Sequence, residues 1–414
     1  MYAKAFGKFY AALLTFFTVK VFYDFIVVKK RYNFCFTSAL HLSYSVVFLS
    51  ALIPLTFSLT GFIKIFALKK NMCMQKIKTR FKLSFILLCL MAIIASCTKT
   101  STNDTSITGN WKRSSEFEGV GRTEAVTFTI GDKVYVGSGY DGTNRLNDFW
   151  EYNQTNGTWL KKADFPGTAR NSAVAFAVNG KGYVGTGYDG LNKLNDFWEY
   201  NPATNAWTRI ADFGGTARYG AVAFAISDKG YVTTGYDGNY LKDLWEYSPT
   251  TNTWIQKASL TGSKRTDATV FVYNSKAYVV TGINNGSYLN DFWMYDATTD
   301  AWTEKRKITS VSDDSYDDDY GTYITRSNAT AFIISNKAYL VTGSRSGVIG
   351  TAWEYDIAND TWAEKTGFEG TAREGSLSFT LSNRGYLTTG NNSSSYFDDL
   401  WEFFPDADQI DTDN

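Results

Sequence analysis

Arg170-Asn-Ser-Ala-Val-Ala-Phe-Ala-Val178, Gly182-Tyr-Val-Gly-Thr-Gly-Tyr-Asp-Gly190, Asn195-Asp-Phe-Trp-Glu-Tyr200 and Ala206-Trp-Thr208 follow one another along the chain. Each is a short run rich in apolar, β-branched or aromatic residues, and Asn179-Gly180, Asp189-Gly190 and Asn201-Pro202 supply turn chemistry around them. The reading is four short strands in an up-and-down meander. The same unit recurs, opened by Arg122, Arg170, Arg218, Arg265, Arg326 and Arg373 at intervals of 48, 48, 47, 61 and 47 residues. Self-similarity at this period marks a repeat architecture, in which each unit buries its faces against its neighbours.

The tryptophans count the units independently. Third strands carry Trp150, Trp198, Trp245, Trp293, Trp353 and Trp401, and fourth strands carry Trp159, Trp207, Trp254, Trp302 and Trp362, always nine residues later. The last of the 12 tryptophans, Trp111, stands eleven residues before Arg122, as Trp159 stands before Arg170. Trp401 has no such partner downstream, because Asp406 to Asn414 is polar and shows no strand pattern. The expected fold is all-β, a six-bladed β-propeller over residues 111–404, closed by an N-terminal strand around Trp111 that completes the last blade. Closure of this kind covers an edge that would otherwise be exposed.

The spacing resembles that of the kelch family over residues 111–404. A glycine follows each second strand, and a Tyr precedes a Trp by seven positions in Tyr152/Trp159, Tyr200/Trp207, Tyr247/Trp254, Tyr295/Trp302 and Tyr355/Trp362. The family's paired glycines read here as Ser138-Gly139, Thr186-Gly187, Thr234-Gly235, Thr281-Gly282, Thr342-Gly343 and Thr389-Gly390. One glycine of each pair still permits the turn.

In an antiparallel meander, the start of strand one, the turn after strand two and the end of strand four lie at one end of the blade. One face of the ring therefore gathers the six arginines and the turns. Blades one to three place Tyr140-Asp141, Tyr188-Asp189 and Tyr236-Asp237 there; blades four to six place Ile283-Asn284, Ser344-Arg345 and Asn391-Asn392. Residues needed only by the blade should recur six times, so a Tyr-Asp pair that recurs three times marks the expected ligand sector. Tyr-Asp-Gly is also good turn chemistry, and that reading stands beside it.

For Arg122, Arg170, Arg218, Arg265, Arg326 and Arg373, two roles are open. Resemblance to kelch domains that bind acidic peptides through arginines at the channel rim implies ligand contact, with Arg122, Arg170 and Arg218 nearer the channel. Six copies also fit one internal need, a salt bridge to Asp148, Asp196, Asp243, Asp291 or Asp399, each two positions before a third-strand Trp. Blade five has Thr351 at that position. The long insertion from Thr303 to Thr325 carries Asp313, Asp314, Asp317, Asp318 and Asp319. It lacks the glycine and closing glutamate of a calcium loop, so it reads as a solvated acidic loop, or as one folded over the arginines.

Ahead of the repeats the composition changes. Thirteen of the 41 Lys and Arg lie before Cys97 against one acid, Asp24, which leaves 28 − 40 = −12 from Cys97 onward. An acidic domain is a poor partner for nucleic acid. Lys76, Lys78, Arg80 and Lys82, the apolar run from Leu83 to Ile94 and Ile94-Ala-Ser-Cys97 resemble a bacterial lipoprotein signal, which implies lipidation at Cys97. The expected organisation is an upstream region over 1–71, a signal over 72–96, a linker over 97–110, the propeller over 111–404 and an acidic tail over 405–414. Residues 1–71 include Ala39 to Ile63, apolar enough for a membrane span; a start at Met72 or Met74 and a membrane-embedded extension both account for them.

All four cysteines (Cys35, Cys73, Cys89 and Cys97) and the lone His41 lie at or before Cys97. The expected propeller therefore has no disulfide, no ordinary transition-metal ligand set, no cofactor and no Ser-His-Asp or Cys-His machinery. The copper site of galactose oxidase, a fold relative, is excluded on the same ground. The expectation is an exported, membrane-anchored monomer, periplasmic or at the cell surface, that binds a glycan or protein partner through the Arg/Tyr/Asp face. The alternative is a metal-free carbohydrate enzyme, an epimerase or lyase, by analogy with the six-bladed sialic acid mutarotases.

Overall fold

A computed structural model describes residues 107–309 and 324–412. The upstream region, the signal, Cys97 and the acidic stretch at Asp313–Asp319 lie outside the described residues. Among the described residues every regular element is a strand. Six four-stranded antiparallel sheets follow one another in chain order, the blades of a propeller.

Blade two shows the logic of all six. Its strands are Val174–Val178, Lys181–Gly185, Phe197–Asn201 and Ala206–Arg209. The innermost strand alternates, burying Val174, Phe176 and Val178 in the blade interface. Near the axis six such strands converge, and small side chains, among them Ala125, Ala173, Ala221, Ala268 and Ala329, line a central channel of about 250 Å³. The second strand is buried almost throughout because both of its faces meet other blades. Gly182 is required there, since a Cβ would lie 2.1 Å from the Phe128 ring of blade one. The outer strand is largely exposed and polar.

The last sheet is assembled from both ends of the chain. Leu377–Leu381, Arg384–Thr388 and Asp399–Phe404 pair in order, and Asn110–Glu116 adds the outer strand, with Trp111 opposite Phe403 and Arg113 opposite Trp401. Trp111 is fully buried and packs against Phe332, Phe368 and Phe403, at ring separations of 6.1, 5.1 and 4.5 Å. The tail forms no strand among its described residues, yet it is tied down: the Gly109 N–H donates to the Ala407 carbonyl, and the Ile410 N–H to Asn110 Oδ1.

A second closure runs around the channel. Glu124, Ser172, Gly220, Asp267, Asn328 and Gly375, each two residues after a blade's arginine, all adopt left-handed φ values of 50° to 63°. Each N–H donates to the carbonyl of its counterpart in the preceding blade, Glu124 to Gly375 included, at 2.9–3.1 Å. These six bonds form a closed ring, which fixes how near the axis each blade's first side chain stands.

Candidate functional site

The six arginines are fully buried. Arg170 donates through Nη1 and Nη2 to the two carboxylate oxygens of Asp196 at 2.7 and 2.8 Å, and to the Thr186 and Thr168 carbonyls. Arg122, Arg218 and Arg373 repeat this fork on Asp148, Asp243 and Asp399, and Arg265 makes a single-pronged version with Asp291. The same aspartate accepts from the indole N–H of the following Trp, as in Trp198 to Asp196 at 2.8 Å. Burial alone would raise the Asp196 carboxyl, but the bond and charge of Arg170 bring it below the usual carboxylate range. In blade five Arg326 instead bonds Thr351 and the Thr342 and Ile324 carbonyls, and burial lowers its pKa to about 9.

This arrangement meets the internal need that the repeat of arginine and aspartate implied. With all six guanidinium groups out of contact with solvent, the arginines pin the head of strand one to the end of strand two and the head of strand three. It also explains the Ser/Thr-Gly departure. Ser138, Thr186, Thr234, Thr281, Thr342 and Thr389 take φ values of 57° to 65°, rare for branched residues. The carbonyl of each accepts an arginine Nη1–H at 2.8–3.0 Å. The arginine thus supports a turn conformation that glycine would adopt unaided.

The Tyr-Asp pairs divide in role. Asp141 and Asp189 accept two backbone N–H bonds each within their own turns, and Asp237 accepts one plus the Thr216 hydroxyl. For Asp141 and Asp237 these bonds outweigh desolvation, and all three carboxyls are held below the usual range. Their oxygens serve the turns. The rings of Tyr140, Tyr188 and Tyr236 are half-buried, and a string of aromatic contacts runs from Tyr188 to Tyr219 at 5.5 Å, to Tyr236 at 5.7 Å and to Tyr240 at 5.2 Å. On the other flank Tyr140 meets Tyr396 of blade six at 5.9 Å.

Sequence reading missed the acids at the channel mouth. A cavity of about 120 Å³ there is lined by Glu124, Ser172, Asp267 and Asn328 among others. Asn171 donates to Glu124 at 2.5 Å, and the Ser172 hydroxyl makes a further bond to the same carboxylate oxygen. Burial, with the negative charges of Glu124 and Glu374, raises Asp267 to about 7. Burial and Asp267 in turn raise the Tyr219 phenol. The signal was legible: the second residue after the arginine reads Glu, Ser, Gly, Asp, Asn and Gly around the ring, varying where every blade-building position repeats.

Asp267 yields a prediction about stability. A carboxyl whose folded pKa exceeds its unfolded value binds more protons in the native state, so stability falls as pH rises from about 4 through 7. Asp267→Asn should therefore flatten that decline. A tenfold change in proton affinity is worth about 1.4 kcal/mol, and solvent in the open mouth reduces the effect, leaving a gain on the order of 2 kcal/mol at pH 8 and little at pH 4. Denaturant titration at the two pH values reads it directly, and an equal change at both would contradict it.

Ring, repeats and mouth together define the class: this chain is a kelch-repeat β-propeller. Residues 264–307 match the Kelch motif model, and residues 119–243 match a family model described as N-acetylneuraminate epimerase. Among solved structures, that of YjhT is similar, with a TM-score of 0.59 and 17% identity, covering 69% of this chain and 95% of that one. At that identity the likeness speaks for the fold. None of the curated proteins matches the chain.

Proposed function

We propose that this propeller binds a sugar in the mouth of its channel, between the acids at the axis and the tyrosine arc of blades one to three. The observation that carries the reading is the mouth itself: side chains that do not recur in every blade converge on a small cavity lined by Glu124, Ser172, Asp267 and Asn328, and Tyr219, next to the lining Gly220 and raised by burial and the charge of Asp267, joins it to the tyrosine string. Aromatic faces take up the apolar faces of sugar rings, while carboxylates and amides accept and donate to hydroxyls. Ligand-observed NMR of the full chain against a panel of neutral and acidic monosaccharides tests it. Binding that Tyr219→Ala weakens, with melting temperature retained, supports the reading; silence across the panel sinks it.

A second reading is conversion of the bound sugar, the activity of an epimerase. It is favoured by the epimerase-family match, which covers blades one and two and the first two strands of blade three, and by Asp267, beyond the matched residues, whose pKa of about 7 suits proton transfer at neutral pH. Faster anomer exchange of N-acetylneuraminate, lost in Asp267→Asn, would establish it. The proposed setting is the outer side of a membrane, with Cys97 as the lipid-bearing residue. Cys97→Ala should abolish incorporation of labelled fatty acid, and unchanged labelling would refute that anchor.

A further inference from the structure

Around the channel mouth, the second residue after each arginine is Glu124, Ser172, Gly220, Asp267, Asn328 and Gly375: an acid, a neutral hydrogen-bonding residue and a glycine, given twice. All six line the mouth cavity. In a closed ring of six, positions three apart stand opposite one another, so Glu124 is opposite Asp267, Ser172 opposite Asn328 and Gly220 opposite Gly375. The glycines make room for the acids. A Cβ on Gly220 would lie 2.5 Å from Asp267 Oδ1, and one on Gly375 would lie 2.2 Å from Thr123 Oγ1 and 3.3 Å from Glu124 Cγ. The mouth is thus built around a pair of opposed carboxylates.

Among the described residues neither carboxylate has a counter-charge beside it. Arg122 and Arg265, two residues upstream of them, are committed to Asp148 and Asp291. Arg145 approaches from the rim but donates its Nε to Asn171 Oδ1, and it is the Asn171 amide that reaches Glu124. Asn171 and the Ser172 hydroxyl both settle on Glu124 Oε2, which leaves Oε1 as a free acceptor among the described residues. The missing charge shows at Asp267, which burial and the charges of Glu124 and Glu374 raise to about 7. A ligand that supplies a positive charge would return it to its ionised form. A bare divalent cation draws on more ligands than the pair supplies, and among the described residues no three metal-binding groups converge. A protonated amine needs less, because its N–H donors can be shared between two acids and a neutral oxygen.

We infer that the mouth is an ammonium subsite, in which Glu124 and Asp267 hold the protonated amine of an amino sugar from opposite sides and Ser172 or Asn328 accepts its remaining N–H. This rests on the sugar-binding reading above and adds the ligand's class. It also sets the mouth against free carboxylates, which the same charges repel.

Calorimetric titration of the full chain with glucosamine and galactosamine against their N-acetyl forms tests the inference at pH 6, where the amine is charged and Asp267 is mainly protonated. In at least one pair the free amine should bind about tenfold more tightly at low salt, with the gap shrinking at high salt. Titration in buffers of different ionisation enthalpy should show about one proton released by the amine and none by the N-acetyl form, because the ammonium displaces the Asp267 proton. Asp267→Asn should abolish that release and narrow the gap to about twofold. Glu124→Gln should narrow the gap and reduce the release, since the charge of Glu124 helps to hold the proton on Asp267. Equal affinity for amino and N-acetyl forms, or a gap that survives both substitutions, overturns the ammonium subsite and leaves sugar binding standing. Calcium chloride that binds alone and blocks the amine would assign the pair to a metal and overturn the subsite as well. Failure of every sugar to bind overturns both readings.

Discussion

Arg170→Ala is expected to destabilise the domain by about 3 kcal/mol or more, the cost of leaving a largely buried carboxylate without its partner. Asp196 is 18% exposed, which favours the lower part of the usual range, but the Thr168 and Thr186 carbonyls also lose their donor. Blade five supplies the internal control. There a threonine, Thr351, stands where the others have aspartate, and Arg326 remains in place. Asp196→Thr should accordingly cost less than Arg170→Ala. Urea unfolding of both variants measures the difference, and a loss below about 1 kcal/mol for Arg170→Ala would return the arginines to the list of ligand residues.

The other large effect concerns the strand that completes blade six. Trp111→Ala removes a fully buried indole packed among three aromatic rings, and substitutions of this type cost about 3–5 kcal/mol. Removal of residues 107–116 should do more. It strips Asp399–Phe404 of its outer partner and leaves that strand as an open edge. The backbone amides of that strand should then exchange quickly with solvent while those of blade three stay protected. Uniform protection in all blades after the deletion would show that Asn110–Glu116 is dispensable.

The fold was legible because its determinants are periodic. A tryptophan nine residues after another and an arginine at the head of each unit report packing needs that every blade shares, so counting them gave the blades and the pairing of Trp111 with the last one. The site was harder to read for the same reason. Arg122 and its five counterparts were conspicuous because they recur, and recurrence is the mark of a structural role. Asp141, Asp189 and Asp237 recur in three blades, yet their carboxylates complete turns. Glu124 and Asp267 appear once each. The ring brings them together, and sequence distance hides that: they are three repeats apart along the chain but line one cavity.

Asp267 also fits a familiar conflict between stability and function. An acid held in a confined mouth beside two other acids weakens the native state above neutral pH, and such groups persist where a ligand uses them. Removing it should make the protein more stable and a poorer binder. A residue kept only for the fold would show both effects with the same sign.

The central claim is that the ligand occupies the mouth on the arginine-and-turn face. Hydrogen–deuterium exchange of the full chain, with and without a saturating sugar ligand, tests it most directly. The account predicts new protection at residues 171–173, 188–193, 219–221, 236–240 and 266–268, with none at the opposite-face turns around Asp132, Asn179 and Asp228. Protection confined to those opposite turns, or to the outer strands, would contradict it.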